Sequence, residues 1–159
     1  RRGRGVAVHE SFNSFVAQVA EVTVKKDGSI KVDRIVCAVD CGTAINPAIV
    51  EGQVHGAVAM GLSGVRGEHC FYDDEGQPRA GSLMDYAVPR ASDMPDIEIE
   101  SMHIASPHNL LGAKGVGEAG TTAAPCAIVN AVLNALPPGS ADHIDMPLTP
   151  EKVWRAIWR

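Results

Sequence analysis

The sequence predicts an α+β fold in which β-hairpins pack against two or three helices. Three observations carry that expectation. Two alternating segments meet at Lys26-Asp27-Gly28-Ser29, Asn46-Pro47 marks a helix start, and an apolar stripe follows Thr121-Thr122. At 159 residues, the chain 1–159 reads as one domain or as a fragment of something larger, and it is long enough to bury a core.

The first hairpin is the clearest element. From Ser14 to Val24, Phe15, Ala17, Val19, Glu21 and Thr23 fall on one side of a strand. Asp-Gly sits where hairpin turns favour it, and Ile30 to Val39 reads as the returning strand. Asp40 to Ile45 makes a loop. Asn46 as N-cap and Pro47 at the first helical position then start a helix that runs to about Leu62. Gly52, Gly56 and Gly61 lie inside it, and each costs roughly 1 kcal/mol against alanine in a helix interior. Such glycines imply that a backbone or a ligand approaches closely. Gln53 shares a face with Ile49, Gly56, Ala57 and Met60, so its amide projects from a small-residue surface.

A second hairpin is expected from Glu68 to Tyr86, turning at Asp73-Asp74-Glu75-Gly76. Asp96 to His103 reads as a partly exposed strand. Ser106 to Gly120 has no periodicity and four glycines, which makes it a loop. Thr121-Thr122 is expected to cap a helix reaching about Leu136, with Pro125 in its first turn and Ile128, Val132, Leu133 and Leu136 buried. Thr149-Pro150 starts a last helix, Glu151 to Trp158, on which Trp154 and Trp158 read as core or interface anchors.

Composition excludes several classes. Hydrophobic residues make up 45% and charged residues 21%, with a net charge of −5, so no basic footprint for nucleic acid is present. No apolar run approaches the roughly 20 residues of a membrane span. The chain begins at Arg1 rather than methionine and reads as a piece of a longer protein. Cys37, Cys41, Cys70 and Cys126 form no C-x-x-C pair; Cys37 and Cys41 are small buried hydrophobes before they are a ligand pair. The six histidines show no i, i+4 pair, which leaves no zinc pattern. Ser11 and Ser63 lack the context of a nucleophile elbow.

The loop Gly112 to Gly120 is the most informative stretch. Gly115-Val116-Gly117-Glu118-Ala119-Gly120 satisfies G-x-G-x-x-G, yet no buried strand precedes it and no second βα unit follows, so a dinucleotide site is not expected. Glu118 has two readings from the loop alone. It is a solvated loop carboxylate or one serving the helix start, where negative charge is favoured, or else a general base beside a bulky ligand admitted by the flanking glycines. Lys114 could neutralise a cofactor phosphate or simply be solvated.

Three stretches, in order, resemble one family: Asp40-Cys41-Gly42-Thr43-Ala44-Ile45-Asn46-Pro47, then Glu51-Gly52-Gln53-Val54-His55-Gly56 through Gly61-Leu62, then Lys114-Gly115-Val116-Gly117-Glu118. They resemble the C-terminal part of the large, molybdopterin-binding subunit of xanthine dehydrogenase and aldehyde oxidase family molybdenum hydroxylases, with the isoquinoline 1-oxidoreductase β-subunit type most similar. The likeness runs from about Gly5 to Trp158. It implies a molybdenum-pterin cofactor, the molybdopterin cytosine dinucleotide form in bacteria. It implies Glu118 as the catalytic base toward a metal-bound hydroxyl, Gln53 as a cofactor-contacting amide, and cofactor contacts at Val116 and Gly117. A small aromatic heterocycle or an aldehyde would be the substrate. The implied partners are the remainder of the large subunit and an iron–sulfur small subunit carrying two [2Fe–2S] clusters. Ala119-Gly120 stands where vertebrate-type members have a proline pair, which leaves the substrate open. The resemblance implies a bacterial cytoplasmic or periplasmic setting without choosing between them. Lacking the other cofactor-binding regions, the chain alone is expected to be inactive. The alternative is a non-catalytic structural piece whose uncovered interfaces drive self-association.

Overall fold

The computed structural model describes residues 1–158. Strands β1 (Arg2–Ser11), β2 (Ser14–Val24) and β3 (Ile30–Asp40) form an antiparallel meander, and β4 (Asp96–Met102) joins β3 in parallel, giving the order β1-β2-β3-β4. Helices α1 (Pro47–Arg66), α2 (Ala119–Ala135) and α3 (Pro150–Ile157) complete the α+β architecture. Among the described residues, no helix is long and apolar enough to cross a membrane.

The hairpin β2–β3 forms as the alternation predicts. Gly28 takes a left-handed φ of 82°, and Asp27 Oδ1 accepts from the amide of Ser29 at 2.9 Å. Phe15, Ala17, Val19, Glu21 and Thr23 share the outer face. The opposite face is the buried one, with Val16, Ala20, Val22 and Val24 in the core. Across from them, Val32 and Ile35 both face inward although three residues apart. The register shift between Glu21 and Val22 explains this, because it leaves Asp33 as the extra residue of a bulge and restores the alternation beyond it.

α2 lies along β1 and β2 and packs on α1. Ile128, Val132 and Leu136 are buried as expected and Leu133 partly so, but Ala123, Ala124, Ala127, Ala131 and Ala135 are buried beside them. These alanines bring α2 close to β1. A Cβ on Gly5 would lie 2.2 Å from the amide nitrogen of Ala131. At the edge of the sheet, Asn134 Oδ1 accepts from the amide of Arg4 at 3.0 Å, and Asn130 Nδ2 donates to the carbonyl of Val6 at 3.0 Å. The free backbone groups of that edge strand are thus partly covered by helix side chains.

β1 was not foreseen, and three expectations are corrected in whole or in part. The segment Glu68 to Tyr86 holds the Asp73 to Gly76 turn, but only one isolated bridge, Tyr72 to Pro78, and no strands. Its residues are largely exposed, so no apolar face stabilises a ladder. α2 begins at Ala119, with Glu118 in the cap position rather than Thr121 or Thr122. Pro125 is therefore inside the helix and not in its first turn, which frees the carbonyl of Thr121 from its usual i+4 donor. Trp154 and Trp158 are exposed, which removes the core half of the core-or-interface reading and leaves the interface half, although the indole N–H of Trp158 reaches the carbonyl of Lys26 at 3.5 Å.

Candidate functional site

α1 starts where Asn46 accepts a hydrogen bond from the amide of Ile49, with Pro47 next, and it runs one turn further than expected. Val50, Val54, Val58, Leu62 and Val65 bury one face. Gln53 stands on the other, exposed, with Gly52 and Gly56 beside it. The two helices meet through glycine. A Cβ on Gly120 would lie 2.7 Å from the carbonyl oxygen of Val54, and one on Gly61 would press Ala124 and Pro125 at 3.0 and 3.1 Å. Thr121 Oγ1 donates to the carbonyl of Ala57 at 2.8 Å across the same junction.

This junction leaves a groove of about 420 Å³ between α1 and the start of α2, lined by residues that include Gln53, Gly56, Met60, Gly117, Glu118 and Thr121. The structure thus brings Gln53 together with Gly117 and Glu118, which are far from it in sequence. The position a Gly117 Cβ would occupy is 3.6 Å from Gln53 Oε1. Val116 is partly buried against the core, on the inner side of the same loop. The Glu118 carboxylate does not cap its own helix and is exposed at the groove. Its charge still lies at the helix N-terminus, and its exposure suits the solvated-carboxylate reading and the base reading alike.

A pterin-sized group fits what is present. A Cβ at Gly52 or Gly56 would meet no atom within 4 Å, so the α1 wall is flat and open where a planar ligand would lie. The Gln53 amide offers both a donor and an acceptor there. A larger concavity of about 580 Å³ lies at the other end of the strands, lined by Arg2, Arg4, Glu21, Lys31, Asp33 and Asp96. Four of its six charges are paired, Arg4 with Glu21 and Lys31 with Asp33.

The loop before Glu118 is anchored to the sheet. Lys114 is neither solvated nor free for a phosphate. Its ammonium sits 2.8 Å from Asp40 Oδ2, with the two side chains 7% and 5% exposed. Burial pushes the Asp40 carboxyl up, but the Lys114 ammonium and the amides of Gly42 and Ile104 outweigh it and hold it below the ordinary carboxylate value. Gln18, fully buried on β2, donates to the carbonyl of Gly120 at 2.9 Å. Sequence reasoning missed Asp40, Gln18 and Ser14, whose hydroxyl donates to the carbonyl of Gly115, as supports of this loop; for Gln18 and Ser14 the signal available was a polar residue on the inner face of an apolar strand. Cys37 and Cys41 are buried, and burial pushes the Cys37 thiol up to about 11 against a hydrogen bond from Gln18. Among the described residues, no group of three or more His, Cys, Asp or Glu side chains could hold a metal ion.

The family model described as "Molybdopterin cofactor-binding domain" matches residues 3–95. The chain belongs to that family. The matched span contains Gln53 and stops short of Glu118. The nicotine 6-hydroxylase large subunit of Paenarthrobacter nicotinovorans is 40% identical over 129 residues, covering 81% of this chain and 16% of that protein. The carbon monoxide dehydrogenase large chain of Hydrogenophaga pseudoflava is 37% identical over 130 residues, covering 82% and 16%. The crystal structure of quinoline 2-oxidoreductase from Pseudomonas putida 86 superposes with a TM-score of 0.86 at 37% identity, covering 91% of this chain and 19% of that one. The resemblance to large subunits of the xanthine dehydrogenase and aldehyde oxidase family therefore holds. The chain spans less than a fifth of the length of these relatives.

Proposed function

We propose that this molybdopterin-binding domain forms one wall of the active site of a hydroxylase that inserts water-derived oxygen into an N-heterocycle or an aldehyde. The observation that carries this reading is the groove in which Gln53, Gly117 and Glu118 converge. When bound, the molybdenum-pterin group, in its cytosine dinucleotide form, supplies the two-electron redox chemistry. The protein's own residues do the rest. Gln53 orients the group through its amide, and the backbone of Val116 and Gly117 approaches it where no side chain intervenes. Glu118, exposed to the groove and free of any capping bond, takes up the proton released as the oxygen nucleophile forms a bond to substrate carbon. The start of α2 holds that carboxylate at the groove.

Electrons leave through [2Fe–2S] clusters on a partner subunit, and the other walls of the site come from the remainder of the large subunit. The 159-residue chain by itself is then inactive. In the parent enzyme, Glu118→Gln should lower kcat by about 10²- to 10⁴-fold while molybdenum content stays unchanged. Full turnover with the metal retained would remove Glu118 from the role of base.

A second reading, a structural piece that self-associates, is favoured by the exposed Val6, Val8 and Phe15 on the outer sheet face. Static light scattering on the isolated chain tests it; a monodisperse monomer at high concentration would count against it.

A further inference from the structure

Asp40 closes β3 and Lys114 lies in the loop that leads to Glu118, so their contact ties the sheet to the site across 74 residues of sequence. Both Asp40 oxygens are used. Oδ2 accepts from Lys114, while Oδ1 accepts from the amides of Gly42 at 3.1 Å and Ile104 at 3.2 Å. A carboxylate held at both oxygens offers its partner one position. The ammonium is further confined by the ring of Phe15, whose centroid is 5.7 Å away. Beside it, the amide of Lys114 donates to the carbonyl of Cys41 at 2.9 Å, and the Ser14 hydroxyl donates to the carbonyl of Gly115.

Stability alone does not account for such a pair. Replacing a buried ion pair with apolar groups of similar volume is often neutral or stabilising, because desolvation offsets the attraction. What the pair supplies is direction. Gly115 and Gly117 leave the following loop with more backbone freedom than any other residue type would. A fixed point immediately before Gly115 removes much of that freedom. We propose that Asp40 and Lys114 are a positioning pair, which sets the Gly115 to Glu118 segment so that the Glu118 carboxylate stays beside Gln53. This rests on the reading of Glu118 as the base.

The test uses the full-length large subunit in its assembled, cofactor-loaded complex. Four forms are compared with wild type: Lys114→Met, Asp40→Asn with Lys114→Met, Lys114→Arg, and Glu118→Gln. The readouts are Tm, molybdenum content, kcat and KM separately, and amide hydrogen exchange of residues 115–118. In the double variant, no buried charge is left unpaired, so its Tm should stay near wild type while kcat falls about 10- to 100-fold with KM unchanged. The amides of 115–118 should exchange at least about tenfold faster, a change that a purely stabilising pair would not produce at constant Tm. If the double variant does not accumulate, Lys114→Arg keeps Asp40 paired but cannot place its fork where the ammonium sits, and should lower kcat about tenfold with Tm retained.

A double variant with wild-type kcat, or with unchanged exchange at 115–118, overturns the positioning pair. A slow Glu118→Gln enzyme beside a fast double variant overturns only that pair and leaves the base in place. A Glu118→Gln enzyme with full turnover overturns the base reading and, with it, the proposal.

Discussion

Asp40 is a charged group kept charged where little water reaches it. Its folded value lies below its unfolded one, so the stability it contributes is complete above the ordinary carboxylate value of about 4. That contribution is lost as pH falls through the lower, folded value. The direction follows from proton uptake, because below about pH 4 the unfolded chain binds a proton that the folded chain resists. Asp40→Asn should therefore flatten the fall in stability on the acid side of pH 4. At pH 7 the same change should cost about 3 kcal/mol, since it leaves the Lys114 ammonium buried without its partner. Urea titrations at pH 7 and at pH 3 would check both statements, and equal losses at the two pH values would contradict them. Glu98 titrates in the same direction through its hydrogen bonds to Arg34, but this pair is exposed and should add little.

At the scale of elements, two glycine substitutions should have opposite effects. Gly5→Ala drives a methyl into the backbone of Ala131 and should destabilise by about 3 kcal/mol or more. Gly52→Ala meets nothing within 4 Å and should stabilise α1 by ~1 kcal/mol. In the parent enzyme the same Gly52→Ala narrows the groove, so cofactor retention should fall while Tm of the cofactor-free form rises. Differential scanning calorimetry with metal analysis would separate the two effects.

The contrast also explains what the sequence discloses. The β2–β3 hairpin is legible because its turn chemistry and its alternating Val and Ile residues agree. β1 is not, because its inward positions are Gly3, Gly5 and Ala7, small for the sake of α2 and silent in any hydrophobic pattern. The turn at Asp73 is legible, whereas the missing strands around it depend on burial that local sequence does not report. The residues alone singled out the Gln53 amide and left Glu118 between a solvated carboxylate and a base; only the resemblance offered a cofactor to Gln53 and the role of base to Glu118. Their convergence depends on how Gly61 and Gly120 let two helices touch, and Lys114 read as a lone loop lysine because its partner lies at the end of another strand.

At the scale of the whole molecule, the uncovered outer face of the sheet dominates. Val6, Val8, Ala17, Val19, Val36 and Ala38 lie in adjoining rungs there, with Arg4, Glu21, Arg34 and Glu98 as a charged ladder toward one end. Such a face is normally covered. The isolated chain should self-associate through it, and Val8→Lys, at a position 69% exposed, should shift sizing profiles toward monomer with little change in stability. An unchanged profile would place the contact elsewhere.

The two asparagines of α2 that reach over the β1 edge decide what form that association takes. Strand addition needs a row of open amides and carbonyls, and two groups of that row, the Arg4 amide and the Val6 carbonyl, are occupied by Asn134 and Asn130. Assemblies of the isolated chain should accordingly be finite and should not nucleate fibrils. Replacing both asparagines with alanine should open the edge to templated growth, visible as thioflavin-positive material after a lag phase.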